Sequence, residues 1–386
     1  MRNEHDAQRA RRAFLWAWGA VAVVKLLVAV RLPPFVDEAF YWQEGRHLAL
    51  DYSDLPGLTA WLVRLGTTLG GTNVFGLRWP FLLLGAALPW MVVRIARHAS
   101  APREGDDHSG EVFAWQAGTL AVLLPLGGLL GLLALPDVPM VFATLLCIDA
   151  GARLLRKVDA GAALELAAGL AIGALSHYRF AAVIVVGLAA LLAIPRGRAV
   201  LELAAGLAIG ALSHYRFAAV VGVGCLALLA IPRGRVVLKD VRVWVALAVG
   251  ALAWVPLVVW NLDNADAGLR FQLIDRHPWR FHFDGAWFFV VQAVLATPLL
   301  FAAMAHAAVR GWTGQGADDR AFARYCAALG GLTVIAFCVL GFFADNERVS
   351  FHWTLPGLYA LLPLVPATLA QWPRGWRRAT GLATTR

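Results

Sequence analysis

The sequence predicts an all-α polytopic membrane protein, and three observations predict it. Of 386 residues, 60% are hydrophobic and only 15% charged, against roughly 45–50% and about 25% in an ordinary soluble domain. The apolar residues fall in runs of about 17–25, the length needed to cross about 30 Å of hydrocarbon. The basic residues cluster in short segments between those runs, so the net charge of +9 reads as membrane topology and not as a nucleic-acid surface. A soluble globular enzyme and a nucleic-acid partner are both excluded.

The elements follow in order. MRNEHDAQRARR precedes an apolar run at 13–30 with no small-residue cleavage site before Arg31, which predicts an uncleaved first span. Further apolar runs near 74–93, 112–134, 138–155, 243–260, 286–309, 325–343 and 355–371 give about eight full spans in one transmembrane domain over 1–386. Basic clusters at 2–12, 94–103, 153–157, 196–198, 233–242, 310–324 and 374–378 are cytoplasmic by the positive-inside rule. The segments 32–57, 135–139, 261–285 and 344–354 then face outward and carry 12 of the 25 acidic residues, the adjacent pair Asp37 and Glu38 among them. Both termini come out cytoplasmic, with the chemistry expected on the outer side. Within the first outer loop (32–72), the stretches 37–50 and 57–71 are too short or too polar to span and predict interfacial helices.

Residues 164–198 recur at 201–235 with an offset of 37 and differences only at positions 184, 185, 188 and 189 of the first copy. Basic clusters on both sides of each copy require an even number of crossings. The apolar stretch 164–194, about 46 Å as one helix at 1.5 Å per residue, then predicts a short helical hairpin. Its tip is Ser176, His177, Tyr178 and Arg179, repeated as Ser213, His214, Tyr215 and Arg216. A polar tip at that depth lines a cavity or snorkels to the interface. The four cysteines, Cys147, Cys225, Cys326 and Cys338, lie in apolar stretches without metal-ligand or disulfide-frame spacing and read as small hydrophobes.

Chemistry is expected in the outer loops. Asp37 and Glu38 follow the first span directly, and adjacent carboxylates just above a membrane are costly unless they serve a cation, a proton or a substrate. The alternative is that Asp37 caps the interfacial helix. Asp137 stands on a short outer turn between Pro136 and Pro139, where it is either a second acidic group or a turn residue.

The first outer loop resembles that of the polyprenyl-phosphate-dependent glycosyltransferases of the GT-C type, which include bacterial family 39 relatives of protein O-mannosyltransferases and the aminoarabinose transferase of lipid A. The resemblance lies in the D-E-x-x-Y-W start (Asp37, Glu38, Tyr41, Trp42), the Y-x-D-x-P step (Tyr52, Asp54, Pro56) and the later G-x-R (Gly76, Arg78). ALPDVPMVF (134–142), Ser-His-Tyr at 176–178, WNLDNADAGLRFQLIDRHPW (260–279) and FHWTLPGLYALLP (351–363) resemble later steps of the same family, in the same order.

The resemblance implies a GT-C-like helical bundle in a bacterial inner membrane that transfers a sugar, on the periplasmic side, from a polyprenyl-phosphate donor to a glycan, lipid or protein acceptor, with Asp37 at the catalytic centre. An inverting transfer needs a carboxylate that takes the acceptor proton or holds a divalent cation, Mg or Mn. Asp37 is expected in one of these roles, supported by Glu38 and Asp137. The leaving phosphate suits guanidinium and imidazole groups, for which Arg270, Arg276, His277, Arg348, His352, His177 and Arg179 are the candidates. Tyr41, Trp42, Tyr52, Asp54 and Arg78 are expected to line the substrate cavity. Two departures matter. Leu55, Pro56 and Gly57 stand where the family often has a basic residue before two prolines, and His177 and His214 stand where it has lysine. The chain also ends soon after its last apolar run, so no separate soluble C-terminal domain is expected. A multi-span transporter or lipid flippase, or an inactive relative of the enzymes, would share many spans and intramembrane polar tips.

Overall fold

The computed structural model describes residues 2–52, 55–99, 107–156, 159–177, 240–253, 255–270, 280–314, 320–343, 351–373 and 375. Among these residues the chain is helical, with no β-strand beyond an isolated bridge between Asp51 and Pro56. Helix α1 (Arg2–Arg31) is continuous for 30 residues, and Pro33 and Pro34 end it because proline cannot continue a helix ladder. A short helix α2 (Val36–Arg46) and an apolar helix α3 (Leu58–Gly70) fill the predicted first loop. They are followed by α4 (Val74–Ala99), α5 (Asp107–Leu123), α6 (Pro125–Leu130), α7 (Asp137–Arg156) and α8 (Ala160–Ser176).

Helix α4 is the hub of this half, packed against α1, α3, α5 and α7, while α8 lies on α7. The α3–α4 corner explains how α4 is aimed. Gly71 takes φ +82°, Asn73 Nδ2 donates to Gly70 O (2.9 Å), and Asn73 Oδ1 caps the new helix by accepting the Gly76 N–H (2.8 Å). A Cβ on Gly66 would stand 2.2 Å from Gly76 O, so the two helices cross at a distance that only glycine permits. Phe14, Phe81, Ile95, Met140, Leu145 and Ile148 are fully buried between these elements.

Three described helices are long and apolar enough to cross a membrane, at 4–31, 74–98 and 322–340. The expected span at 286–309 is instead a pair, Gly285–Leu295 and Pro298–Thr313, bent by 101°. Thr297, at φ +66°, and Pro298 at the first helical position restart the helix in a new direction. Prolines also divide other expected spans. Pro125 separates α6 from α5, Pro256 opens Val255–Asp263 after Val241–Leu252, and around Pro356, Pro363 and Pro366 the run 355–369 alternates α-helical and 3-10 turns without a gap.

At the end of α4 opposite the α2 corner, charges tie three helices together. Arg94 reaches Asp149 on α7 and Glu165 on α8, both at 2.6 Å, and Arg153 reaches Glu165 (2.9 Å) and Asp159 (3.0 Å). Asp159 also caps α8 through the Ala162 N–H. Glu165 belongs to the first copy of the duplication. The rest of that copy beyond His177, including Tyr178 and Arg179 of the predicted hairpin tip, and the whole second copy lie outside the described residues, whereas Ser176 and His177 of the tip are buried at the end of α8. Cys147, Cys326 and Cys338 are unbridged, and Cys225 lies outside the described residues.

Candidate functional site

The site is built at the α1–α2 corner. Phe35 precedes α2, and its N–H donates to Glu38 Oε2 (3.0 Å), the reach-back half of a capping box. This fixes the first turn of α2, whose two acids, Asp37 and Glu38, sit where the helix dipole favours negative charge. Successive residues of a helix point about 100° apart, and the two acids separate accordingly. Asp37 is exposed, whereas Glu38 is fully buried.

Glu38 meets Arg78, which α4 carries one turn from its start. Arg78 is itself fully buried, and all five of its N–H donors are engaged. Nε and one Nη hydrogen go to Glu38 Oε1 (2.8 Å) and Oε2 (2.5 Å). The others go to the carbonyls of Ala29 (3.0 Å), Leu32 (2.7 Å) and Pro33 (3.0 Å) at the end of α1. Glu38 Oε1 also accepts the Ala134 N–H (2.9 Å), which brings in the segment entering α7. Burial pushes the Glu38 carboxyl up, but the Arg78, Ala134 and Phe35 hydrogen bonds outweigh it and hold it below its ordinary value. It therefore stays ionised, saturated by its neighbours.

Three residues after Ala134, Asp137 opens α7 and is 2% exposed. Its Oδ2 lies 3.1 Å from His352 Nε2, which a 3-10 turn (Phe351–Thr354) presents. The contact is made through Nε2, so it sets which ring nitrogen of His352 meets the carboxylate. Ala134 thus links an acidic corner, with exposed Asp37, to a carboxylate–imidazole pair.

The remaining predicted residues disperse. Tyr41 is buried in the core, and Trp42 is half-buried under the Arg46 guanidinium, 5.3 Å from its ring. The Tyr52 hydroxyl accepts the Ala49 N–H (3.0 Å) and lies within donating reach of the Glu44 and His47 carbonyls, so it organises the loop. Arg270 is exposed at the end of the short helix Ala267–Arg270. His177 is buried at the end of α8, its N–H bonded to Gly173 O. Asp54, Arg179, Arg276, His277 and Arg348 lie outside the described residues.

Two residues escaped the sequence reading. Asp51, in the first loop, is 4% exposed; Oδ1 accepts the Tyr52 N–H (3.0 Å) and Oδ2 is buried without a hydrogen-bond partner. Burial raises its carboxyl to about 7, against the lowering effect of the Tyr52 bond. Gln292 is fully buried in Gly285–Leu295. A polar side chain inside the apolar run FFVVQAVLA was a signal for it; nothing local distinguishes a buried Asp51 from a solvated one.

A divalent ion fits the described donors poorly. No group of three or more His, Cys, Asp or Glu side chains converges among the described residues, and Glu38, the carboxylate beside Asp37, spends both oxygens on Arg78 and backbone N–H groups.

Residues 54–204 match the family described as dolichyl-phosphate-mannose-protein mannosyltransferase. A curated relative, the lipid A galacturonosyltransferase RgtD of Rhizobium johnstonii, is 26% identical over 292 residues, covering 74% of this chain and 51% of that protein. The crystal structure of ArnT from Cupriavidus metallidurans in the apo state matches with a TM-score of 0.60 at 16% identity, over 95% of this chain and 61% of that one. The ArnT structure bound to undecaprenyl phosphate gives the same TM-score and coverage at 15% identity. The chain spans about half the length of the curated relative, and the structural likeness shows a shared fold.

Proposed function

We propose, starting from a chain that has the fold of the GT-C glycosyltransferases and is related to them, that it moves a sugar from a polyprenyl-phosphate donor to an acceptor at the outer face of the bacterial inner membrane. One observation carries this reading. Asp37 is exposed on a corner held rigid by the saturated Glu38–Arg78 pair, and that corner is bonded through Ala134 to the segment bearing Asp137 and its partner His352. Such a corner can offer a base, and the segment bonded to it brings an imidazole able to meet a phosphate.

Asp37 is the base. It takes the acceptor hydroxyl proton as the oxygen attacks the anomeric carbon, the carbon–oxygen bond to the phosphate breaks, and the anomeric centre inverts. The polyprenyl phosphate leaves as an anion. His352, held against Asp137, meets it through the imidazole, and Arg270 with Arg276, His277, Arg348 and Arg179 are further candidates for its charge. Glu38 and Arg78 touch no reactant. They position Asp37, since a displacement of about 1 Å at a reacting group costs on the order of 100-fold in rate. No step passes through a metal.

ArnT is known bound to undecaprenyl phosphate, and RgtD bears the name of a lipid A galacturonosyltransferase. Undecaprenyl-phosphate sugars and a lipid-borne glycan acceptor are accordingly the first substrates to test. Purified chain in detergent is incubated with a panel of polyprenyl-phosphate hexoses, hexuronates and aminopentoses plus acceptor, and products are read by mass spectrometry. An acceptor heavier by one sugar, with free polyprenyl phosphate, is expected. No transfer from any donor by folded protein contradicts the proposal.

A further inference from the structure

The Asp137–His352 contact depends on a turn that is held from outside itself. Phe351–Thr354 is a single 3-10 turn, and its first and last residues are both held by one side chain from another element. Gln292 Nε2 donates to Phe351 O (2.6 Å), and Gln292 Oε1 accepts the Thr354 hydroxyl. His352 and Trp353 lie between those two anchor points. Trp353 packs with Phe288 and Phe337, so the turn has an apolar anchor of its own and does not need an amide merely to stay docked.

A primary amide buried in an apolar helix is unfavourable unless its polar atoms are bonded. Leucine at position 292 would satisfy Gly285–Leu295 as a helix equally well. The side-chain hydrogen bonds of Gln292 go to the His352 turn instead of to its own helix.

We infer that Gln292 is a positioning residue for His352: by clamping Phe351 and Thr354 it keeps the imidazole against Asp137 and aimed at the donor phosphate. The inference rests on the role proposed above for His352. It deepens that role by naming a residue, remote in sequence from both members of the pair, through which the phosphate contact is set.

The test combines two readouts. In a double-mutant cycle on sugar transfer, Gln292→Leu lowers kcat/KM for the donor by on the order of 100-fold, but by less than about 2-fold when His352→Ala is already present. Thr354→Ser, which keeps the hydroxyl, retains activity, and Thr354→Val loses much of it. Equal losses from Gln292→Leu with and without His352 would overturn the inference, because they would show general destabilisation. The second readout needs no activity. In ¹⁵N-histidine-labelled protein the His352 ring gives one sharp set of signals with its Nε2 shift set by the Asp137 contact, and Gln292→Leu shifts and broadens it. An unchanged ring signal in that variant overturns the clamp. An altered ring signal with unaltered transfer keeps the clamp and overturns the phosphate role of His352.

Discussion

Arg78 reaches Glu38 across 40 residues of sequence and spends all five of its N–H donors doing so and in holding the last carbonyls of α1. The consequence is a corner at which one acid is locked inside and its neighbour, Asp37, is left outside. A buried ion pair is weak evidence of stability in itself; here every lone pair and donor is satisfied, so the pair specifies a single arrangement of α1, α2, α4 and the entry to α7.

Removing one partner leaves an uncompensated buried charge. Arg78→Ala and Glu38→Ala are each expected to destabilise the protein by about 3–5 kcal/mol. Arg78→Lys does not restore it, because an ammonium has three donors and no fork. Thermal unfolding of purified protein checks this, and a Lys variant as stable as the parent would contradict the five-donor account.

Asp51 gives a pH signature. Its carboxyl is raised from an ordinary 3.8 to about 7 by burial. The folded chain therefore holds a proton that the unfolded chain releases. The stability this contributes is fully present below about 3.8 and is lost as pH rises through about 7. Asp51→Asn keeps a neutral side chain, so its advantage over the parent should grow between pH 4 and pH 7 and level off above. Unfolding midpoints that run parallel across this window would contradict the burial of Asp51.

The duplication offers a third test. A Cβ on Gly169 would stand 2.8 Å from Cys147 Sγ and 3.1 Å from Ala143 O, and Glu165 pairs with Arg94 and Arg153. Gly169 and Glu165 are therefore what seats α8 on α7. Deleting 164–200 joins Leu201 to Ala163 and puts Glu202 and Gly206 in their places. The shortened chain is expected to insert and fold as the parent does. Loss of membrane insertion, scored by fractionation and protease protection, would show that both copies are structural.

The fold was legible where one strong signal dominates. The apolar runs at 13–30 and 74–93 became α1 and α4 because nothing interrupts their helical ladders except prolines that α4 absorbs at 80 and 89. The run at 286–309 has the same hydropathy but carries Pro298 at a helix start, and backbone geometry at Thr297 overrides its length. The site residues Asp37, Glu38, Asp137 and His352 were each visible as polar groups in outer loops. Their pairings were not, since Glu38 with Arg78 and Asp137 with His352 are tertiary contacts without local periodicity. For the same reason the sequence placed Glu38 beside Asp37 as its support and Arg78 in the cavity wall without joining them, whereas the structure pairs the two and buries both fully.

The central claim is that Asp37 is the base of a sugar transfer, and one comparison tests it most directly. Asp37→Asn and parent protein, matched for expression and unfolding midpoint, are each given a polyprenyl-phosphate sugar that the parent uses, and product is counted by mass spectrometry. Asparagine keeps the shape of the exposed side chain and cannot take a proton, so the account predicts transfer reduced by 10²-fold or more, on the order of a lost general base. Turnover by Asp37→Asn at the parent rate would contradict it.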